Sequence, residues 1–151
     1  MIDLKGRMRN DTVLIYKAIK GALCHVSLPI CRSCLLICRL RSDLRRRRRR
    51  GLSAWNLLYA ADLADQAGVD ILIEPINPMD MPGYLLNSVE QAAVILKQLD
   101  HPRLALQFDI YHAQIVGGNI AARLDQYLEI TRHVQVAGAP GRHEPDSGEL
   151  N

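Results

Sequence analysis

The chain has 151 residues, 48% of them apolar, and a formal charge of +3, enough length and apolar content for one globular domain with its own core. No apolar run approaches the roughly 18–20 residues of a membrane span, so a membrane partner is not expected. The mild charge hides two unlike segments: residues 1–51 hold 14 Lys/Arg against 3 Asp/Glu (+11) and residues 52–151 hold 5 against 13 (−8), which sum to +3.

Residues 1–53 read as a basic, Cys/Arg-rich segment and 54–151 as the ordered domain. All four cysteines, Cys24, Cys31, Cys34 and Cys38, fall in the first segment beside His25. Thiolates at such spacings suit zinc or an iron–sulfur cluster. The competing reading is a set of cysteines scattered through an apolar stretch, since no second ligand pair follows. Lys17 and Lys20 ahead of ALCHVSLPIC faintly resemble a signal peptide, and the Arg-rich, acid-poor composition an organellar presequence. His25 and Arg32 interrupt the former and no clean small-residue cleavage site appears, so the expectation is a cytoplasmic protein. The run Arg45 to Arg50 has the local potential to bind phosphates. It lacks interleaved aromatics and a groove-reading motif, so it reads as a solvated linker and nucleic acid is not the expected partner.

From Ser53 onward the pattern is regular. Ser53 is placed to cap a helix through about Ala67, with Trp55, Leu58, Leu63 and Ala64 apolar and Gly68 as the stop. VDILIEP (69–75) is a strand, and residues 77–84, rich in Pro and Gly, an irregular loop over its end. Ser88 with Gln91 three residues on forms a capping box for a helix ending near Leu99. Asp100, His101 and Pro102 turn into a second strand, RLALQFD (103–109). After the Gly117–Gly118 break a helical stretch from about Asn119 to Thr131 leads to a third strand, HVQVAG (133–138). Strands separated by helices make parallel βα units, and mostly continuous apolar strands indicate cover on both faces.

Each strand-like run carries one candidate polar residue: Glu74, Asp109 and Gln135. A lone carboxylate at a strand end is more commonly a solvated loop residue. Glu74 differs because it follows Ile71, Leu72 and Ile73 and precedes Pro75, which puts it in a buried strand, and the C-terminal edge of a parallel sheet is where such folds place chemistry. Asp109 ends an apolar strand, and His112 follows at a spacing that sets both side chains over one pocket. Gln135 points to the face opposite Val134 and Val136. In a closed barrel that face is the interior, where a buried amide needs a metal or a hydrogen-bond partner.

The stretches LLYAADLADQAGVDILIEPINPMDMPGYLL (57–86), QFDIYHAQ (107–114) and HVQVAGAPGRHEPDSGELN (133–151) resemble the hydroxypyruvate isomerase family of the xylose-isomerase-like TIM barrels. EPIN, DIYH and PGRHEP occur in the family's order across residues 54–151, and residues 1–53 show no match. The resemblance implies an α/β fold, here a partial (β/α)8 TIM barrel with parallel strands and an atypical N-terminal segment. It also implies the reversible isomerisation of hydroxypyruvate and 2-hydroxy-3-oxopropanoate, so the expected partner is a small hydroxy-keto acid.

By the same resemblance Glu74 is one of two catalytic glutamates, moving a proton through an enediol(ate). Glu74, Asp109 and Gln135 match metal-holding positions, and oxygen donors favour Mg2+ or Mn2+. His112, Arg142 and His143 match or adjoin substrate-binding positions, with Glu144 in the same loop. The family's second catalytic glutamate belongs to the last barrel strand, after Asn151. Glu149 matches a different position and does not replace it. A whole barrel needs about 250 residues, and three strands leave open edges, which a partner, a homo-oligomer among the options, would have to cover. The readings carried forward are a hydroxypyruvate isomerase with only part of its catalytic residues, a related 2-oxo-tetronate isomerase, and a non-catalytic barrel remnant with a basic nucleic-acid-binding N-terminus. A metal-dependent endonuclease fits less well, because glutamine stands where a zinc-binding histidine is expected.

Overall fold

The computed structural model describes residues 46–150, with side chains from residue 54. The cysteine cluster and the apolar pieces 11–19 and 22–30 lie outside the described residues. Helix α1 spans Arg46–Ala67. It begins seven residues ahead of the expected cap, so Ser53 is interior to the helix and the arginines from Arg46 to Arg50 form its first turns rather than a linker. Ser is tolerated within a helix, and Arg is among the better helix formers, which is why an unbroken run carries the helix past the expected boundary. Its inward face is Leu57, Ala60, Ala61 and Ala64, all buried. Three alanines in that row let the helix lie close to the sheet. Gly68, at φ +67°, closes it by donating to the Asp65 carbonyl at 3.1 Å, a backbone region that glycine enters without penalty.

Strand β1 (Ile71–Ile73) leads through a loop to α2 (Val89–Leu99). Ser88 Oγ accepts from Gln91 N–H at 3.3 Å, and Gln91 Oε1 accepts from Asn87 N–H at 3.1 Å. The capping pair anticipated from sequence is present, with its return bond one residue earlier than the usual box. Strand β2 (Leu104–Asp109) runs straight into α3 (Ile110–Gly117), and α4 (Ile120–Tyr127), with a 3-10 turn at Leu128–Ile130, leads to β3 (Thr131–Gln135). The sheet order is β1-β2-β3, all parallel. Among the described residues no helix is long and apolar enough to cross a membrane.

Parallel neighbours point their side chains to the same face, so the register sorts the sheet into two sides. Ile71, Ile73, Leu104, Leu106 and Phe108 belong to the apolar cluster with Leu57, Ala60, Ala64, Ala92 and Leu96 from α1 and α2. The opposite side carries Leu72, Ala105, Gln107 and Asp109, equally buried. Between Leu106 and Gln107 the pairing with β3 slips: Leu106 stands beside Thr131, but Gln107 beside His133 and Asp109 beside Gln135. The extra residue on β3 is a bulge, and it re-aims the strand end. With uniform pairing Asp109 would neighbour Val134, and Gln135 would point to the helix side. Strand β3 departs from the expectation of two covered faces: Val134 and Val136 are 39% and 49% exposed, because among the described residues a loop, not a helix, follows them.

Candidate active site

Glu74 follows the last residue of β1, Asp109 ends β2 and Gln135 ends β3, so the three stand at the C-terminal edge of adjacent parallel strands. Asp109 does two jobs. Its Oδ1 accepts from the N–H groups of Tyr111 at 2.9 Å and His112 at 3.4 Å, capping α3. Its Oδ2 is left to face the site, 3.4 Å from Arg142 Nη2 and 3.7 Å from His112 Nε2. One carboxylate thereby starts a helix and supplies charge above the sheet. Glu74, Asp109 and His112, each buried, bring ligand-type atoms within 4.8 Å of one another. Such a grouping of two carboxylates and an imidazole is one a divalent cation can use.

The electrostatics follow from that crowding. Burial, then the charge of Asp109, pushes the Glu74 carboxyl from 4.5 up to about 7, with Gln107 and Arg142 acting in the opposite direction. Two carboxylates out of water cannot both ionise freely, so one holds its proton to a higher pH. His112 is moved down by burial, with Arg142 adding to the effect and Asp109 and Asp80 opposing it. Its ring is therefore held toward the neutral form.

Gln135 is half-buried, and its Oε1 accepts from Gln107 Nε2 at 3.0 Å. Gln107 is fully buried, and its Oε1 is the one buried side-chain polar atom without a partner among the described residues. A buried amide oxygen with no protein partner, beside two buried carboxylates, is one that a cation or a protic group could satisfy. Arg142 is 44% exposed, sits at φ +57° and lies over the Tyr111 ring at 4.9 Å, which aims its guanidinium across the mouth of the site. The loop that carries it is folded by its own backbone: Gly138 N–H donates to the His143 carbonyl at 2.9 Å, and Glu149 N–H to the Ala139 carbonyl at 2.7 Å. A Cβ on Gly138 would fall on the Ser147 carbonyl oxygen, so the close approach there requires glycine. His143 lies exposed in this loop and is outside the convergent cluster. Glu144 is likewise exposed, its carbonyl accepting from Ser147.

Sequence reasoning passed over Gln107, Asn77, Asp80 and Tyr111. Gln107 carried a signal, being a polar residue two before Asp109 within an apolar strand and hence on the same face. Tyr111 and Asp80, whose OH and Oδ1 meet at 3.1 Å, had none, since their contact joins the first turn of α3 to a loop 31 residues earlier.

A family described as xylose isomerase-like TIM barrel matches residues 38–151. A 2-oxo-tetronate isomerase of Cupriavidus necator is 47% identical over 110 residues, covering 73% of this chain and 42% of that protein. A putative hydroxypyruvate isomerase of Danio rerio is 50% identical over 98 residues, 64% of this chain and 36% of the relative. The chain thus spans about two fifths of the curated relatives it matches. In three dimensions it is similar to a crystal structure of an AP endonuclease, family 2, from Brucella melitensis, with a TM-score of 0.85 and 32% identity over 95% of this chain and 56% of that one. With most of its length matched to the family model and its parallel strands ending in one acidic cluster, the chain belongs to the xylose isomerase-like TIM barrel family.

Proposed function

We propose that this site isomerises hydroxypyruvate and 2-hydroxy-3-oxopropanoate by proton transfer through an enediolate, with Glu74 as the base. The observation that carries the reading is a buried glutamate at the strand end, crowded by buried Asp109 and His112; burial and the neighbouring carboxylate push its carboxyl up to about 7, which keeps both its protonation states accessible near neutrality. Ionised Glu74 takes a proton from the hydroxymethyl carbon of hydroxypyruvate. The electron pair left behind forms the carbon–carbon double bond, and the former ketone oxygen becomes the enediolate oxygen. Glu74 returns the proton to the neighbouring carbon, and the hydroxyl proton of the terminal oxygen passes to the enediolate oxygen, which leaves the aldehyde and a new secondary hydroxyl. Atoms and charge balance without an outside reagent.

Glu74, Asp109 through Oδ2, and Gln135 through Oε1 offer an all-oxygen donor set, which suits Mg2+ or Mn2+. The fit is supported by the proton that Glu74 retains against Asp109 and by the bulge that turns Gln135 toward Asp109. A divalent ion there would supply Lewis-acid stabilisation of the enediolate oxygen. Arg142 binds the substrate carboxylate from the mouth of the site, and His112 hydrogen-bonds a substrate oxygen. His143, exposed in the same loop as Arg142, is the further residue proposed to contact the acid.

A second reading shares this chemistry. The 47% identity to a 2-oxo-tetronate isomerase favours a longer hydroxy-keto acid equally well. Turnover assays with hydroxypyruvate and with 2-oxo-tetronate, alongside Glu74→Gln, test both: loss of activity on the preferred acid in the variant supports the mechanism, and full activity in Glu74→Gln refutes it.

A further inference from the structure

The loop after β1 holds a buried amide, Asn77, that the proposed reaction leaves unused. Asn77 is fully enclosed. Its Oδ1 accepts from the N–H groups of Met79 at 3.0 Å and Asp80 at 2.9 Å. With the oxygen so engaged, the amino half of the amide faces His112, and Nδ2 lies 2.8 Å from the ring's Nδ1. The backbone N–H of Asn77 points at the same nitrogen from 3.4 Å.

Two N–H donors therefore converge on Nδ1 of His112. A proton on that nitrogen would confront both of them, and the carboxylate on that side, Asp80 Oδ2, is 3.9 Å away, beyond a hydrogen bond. Nδ1 is the acceptor, and the ring's proton resides on Nε2. Nε2 is the nitrogen on the site side, 3.7 Å from Asp109 Oδ2.

We propose that Asn77 is a positioning residue: by donating to Nδ1 it fixes His112 in the tautomer that presents Nε2–H to the site. His112 then acts as a hydrogen-bond donor to a substrate oxygen. In that tautomer Nε2 has no lone pair to offer, so of the three groups clustered there a divalent cation would be held by the carboxylates and His112 would not join them. The identity of the oxygen that His112 meets rests on the isomerase reading. The tautomer does not.

Long-range 1H–15N correlation spectra of the labelled chain read the tautomer directly, with His112 assigned by the loss of its signals in His112→Asn. The expected result is Nε2 resonating as a protonated and Nδ1 as an unprotonated nitrogen, with a 15N–15N coupling across the hydrogen bond from Asn77 Nδ2 to His112 Nδ1. Asn77→Asp replaces the donor by a carboxylate oxygen and is expected to draw the ring proton to Nδ1. A protonated Nδ1 in the unaltered chain, an absent coupling, or Nε2–H retained in folded Asn77→Asp overturns the proposal. Should Asn77→Asp not fold, the two measurements on the unaltered chain decide alone. An inactive chain with the expected tautomer would sink the isomerase reading and leave the role of Asn77 standing; an active chain with the opposite tautomer would do the reverse.

Discussion

Replacing Glu74 by Gln should make the protein more stable above neutrality while removing its chemistry. In the folded chain the carboxyl titrates at about 7 against an ordinary 4.5. Between those values the unfolded chain has lost the proton and the native state still holds it, so the native state binds more protons and stability falls as pH rises. The contribution is complete below about 4.5 and gone above about 7, and the gap between the two corresponds to roughly 3 kcal/mol at 25 °C. Because Glu74 is only 5% exposed, solvent screening reduces that figure little. Glu74→Gln keeps the shape, cannot ionise and offers an amide N–H to Asp109. Urea unfolding at about pH 5 and about pH 8 in the presence of a chelator measures both proteins. Relative to the variant, the unaltered chain should lose stability across this window, by up to roughly 3 kcal/mol, so that the variant is the more stable of the two at the upper pH; the pH dependence contributed by His112 is common to both and cancels in the difference. Parallel profiles would show that neither burial nor Asp109 raises the Glu74 carboxyl in the fold, and the basis for Glu74 as a base at neutrality would go with them.

Three further outcomes follow from the same geometry. Mg2+ or Mn2+ at about 100 times its dissociation constant should raise the unfolding free energy by roughly 2.7 kcal/mol, and by less at about pH 5, where the proton on Glu74 competes with the ion; calorimetric melts with and without chelator check this. Asp109→Asn retains a capping side chain but removes the charge that raises Glu74, so the pH-dependent loss of stability should move to lower pH. Asp109→Ala should in addition cost about 1 kcal/mol for the lost cap of α3, visible in denaturant midpoints. Arg142→Met should raise KM for the hydroxy-keto acid about tenfold or more, the equivalent of losing one charged hydrogen bond, with a smaller change in kcat; an unchanged KM would remove Arg142 from substrate binding.

The parallel βα pattern and the polar strand ends are local properties of the chain, and reading them needs only periodicity and punctuation. Ser88 and Gln91 announce α2 because a capping pair is a contact within four residues. Helix α3 is less visible, since Asp109 closes a strand and caps a helix at once and no turn residue separates the two. The start of α1 is misplaced for a related reason: Ser53 resembles a cap, but nothing in the arginine run before it stops a helix. The bulge that sets Gln135 beside Asp109 is a property of two strands pairing, and neither strand carries it alone. Asn77 and Gln107 belong to the same class. One holds a ring 35 residues away and the other an amide 28 residues away, so their partners exist only once the sheet has formed.

The most direct measurement is deuterium incorporation into hydroxypyruvate in D2O, followed by NMR at the hydroxymethyl carbon. Exchange there needs only removal and return of one proton by one base, whatever the overall turnover. The purified chain should exchange that position faster than buffer alone, and Glu74→Gln should reduce exchange to the buffer rate. Exchange no faster than buffer with the unaltered chain, or exchange undiminished in Glu74→Gln, would contradict a proton-transfer site built on Glu74.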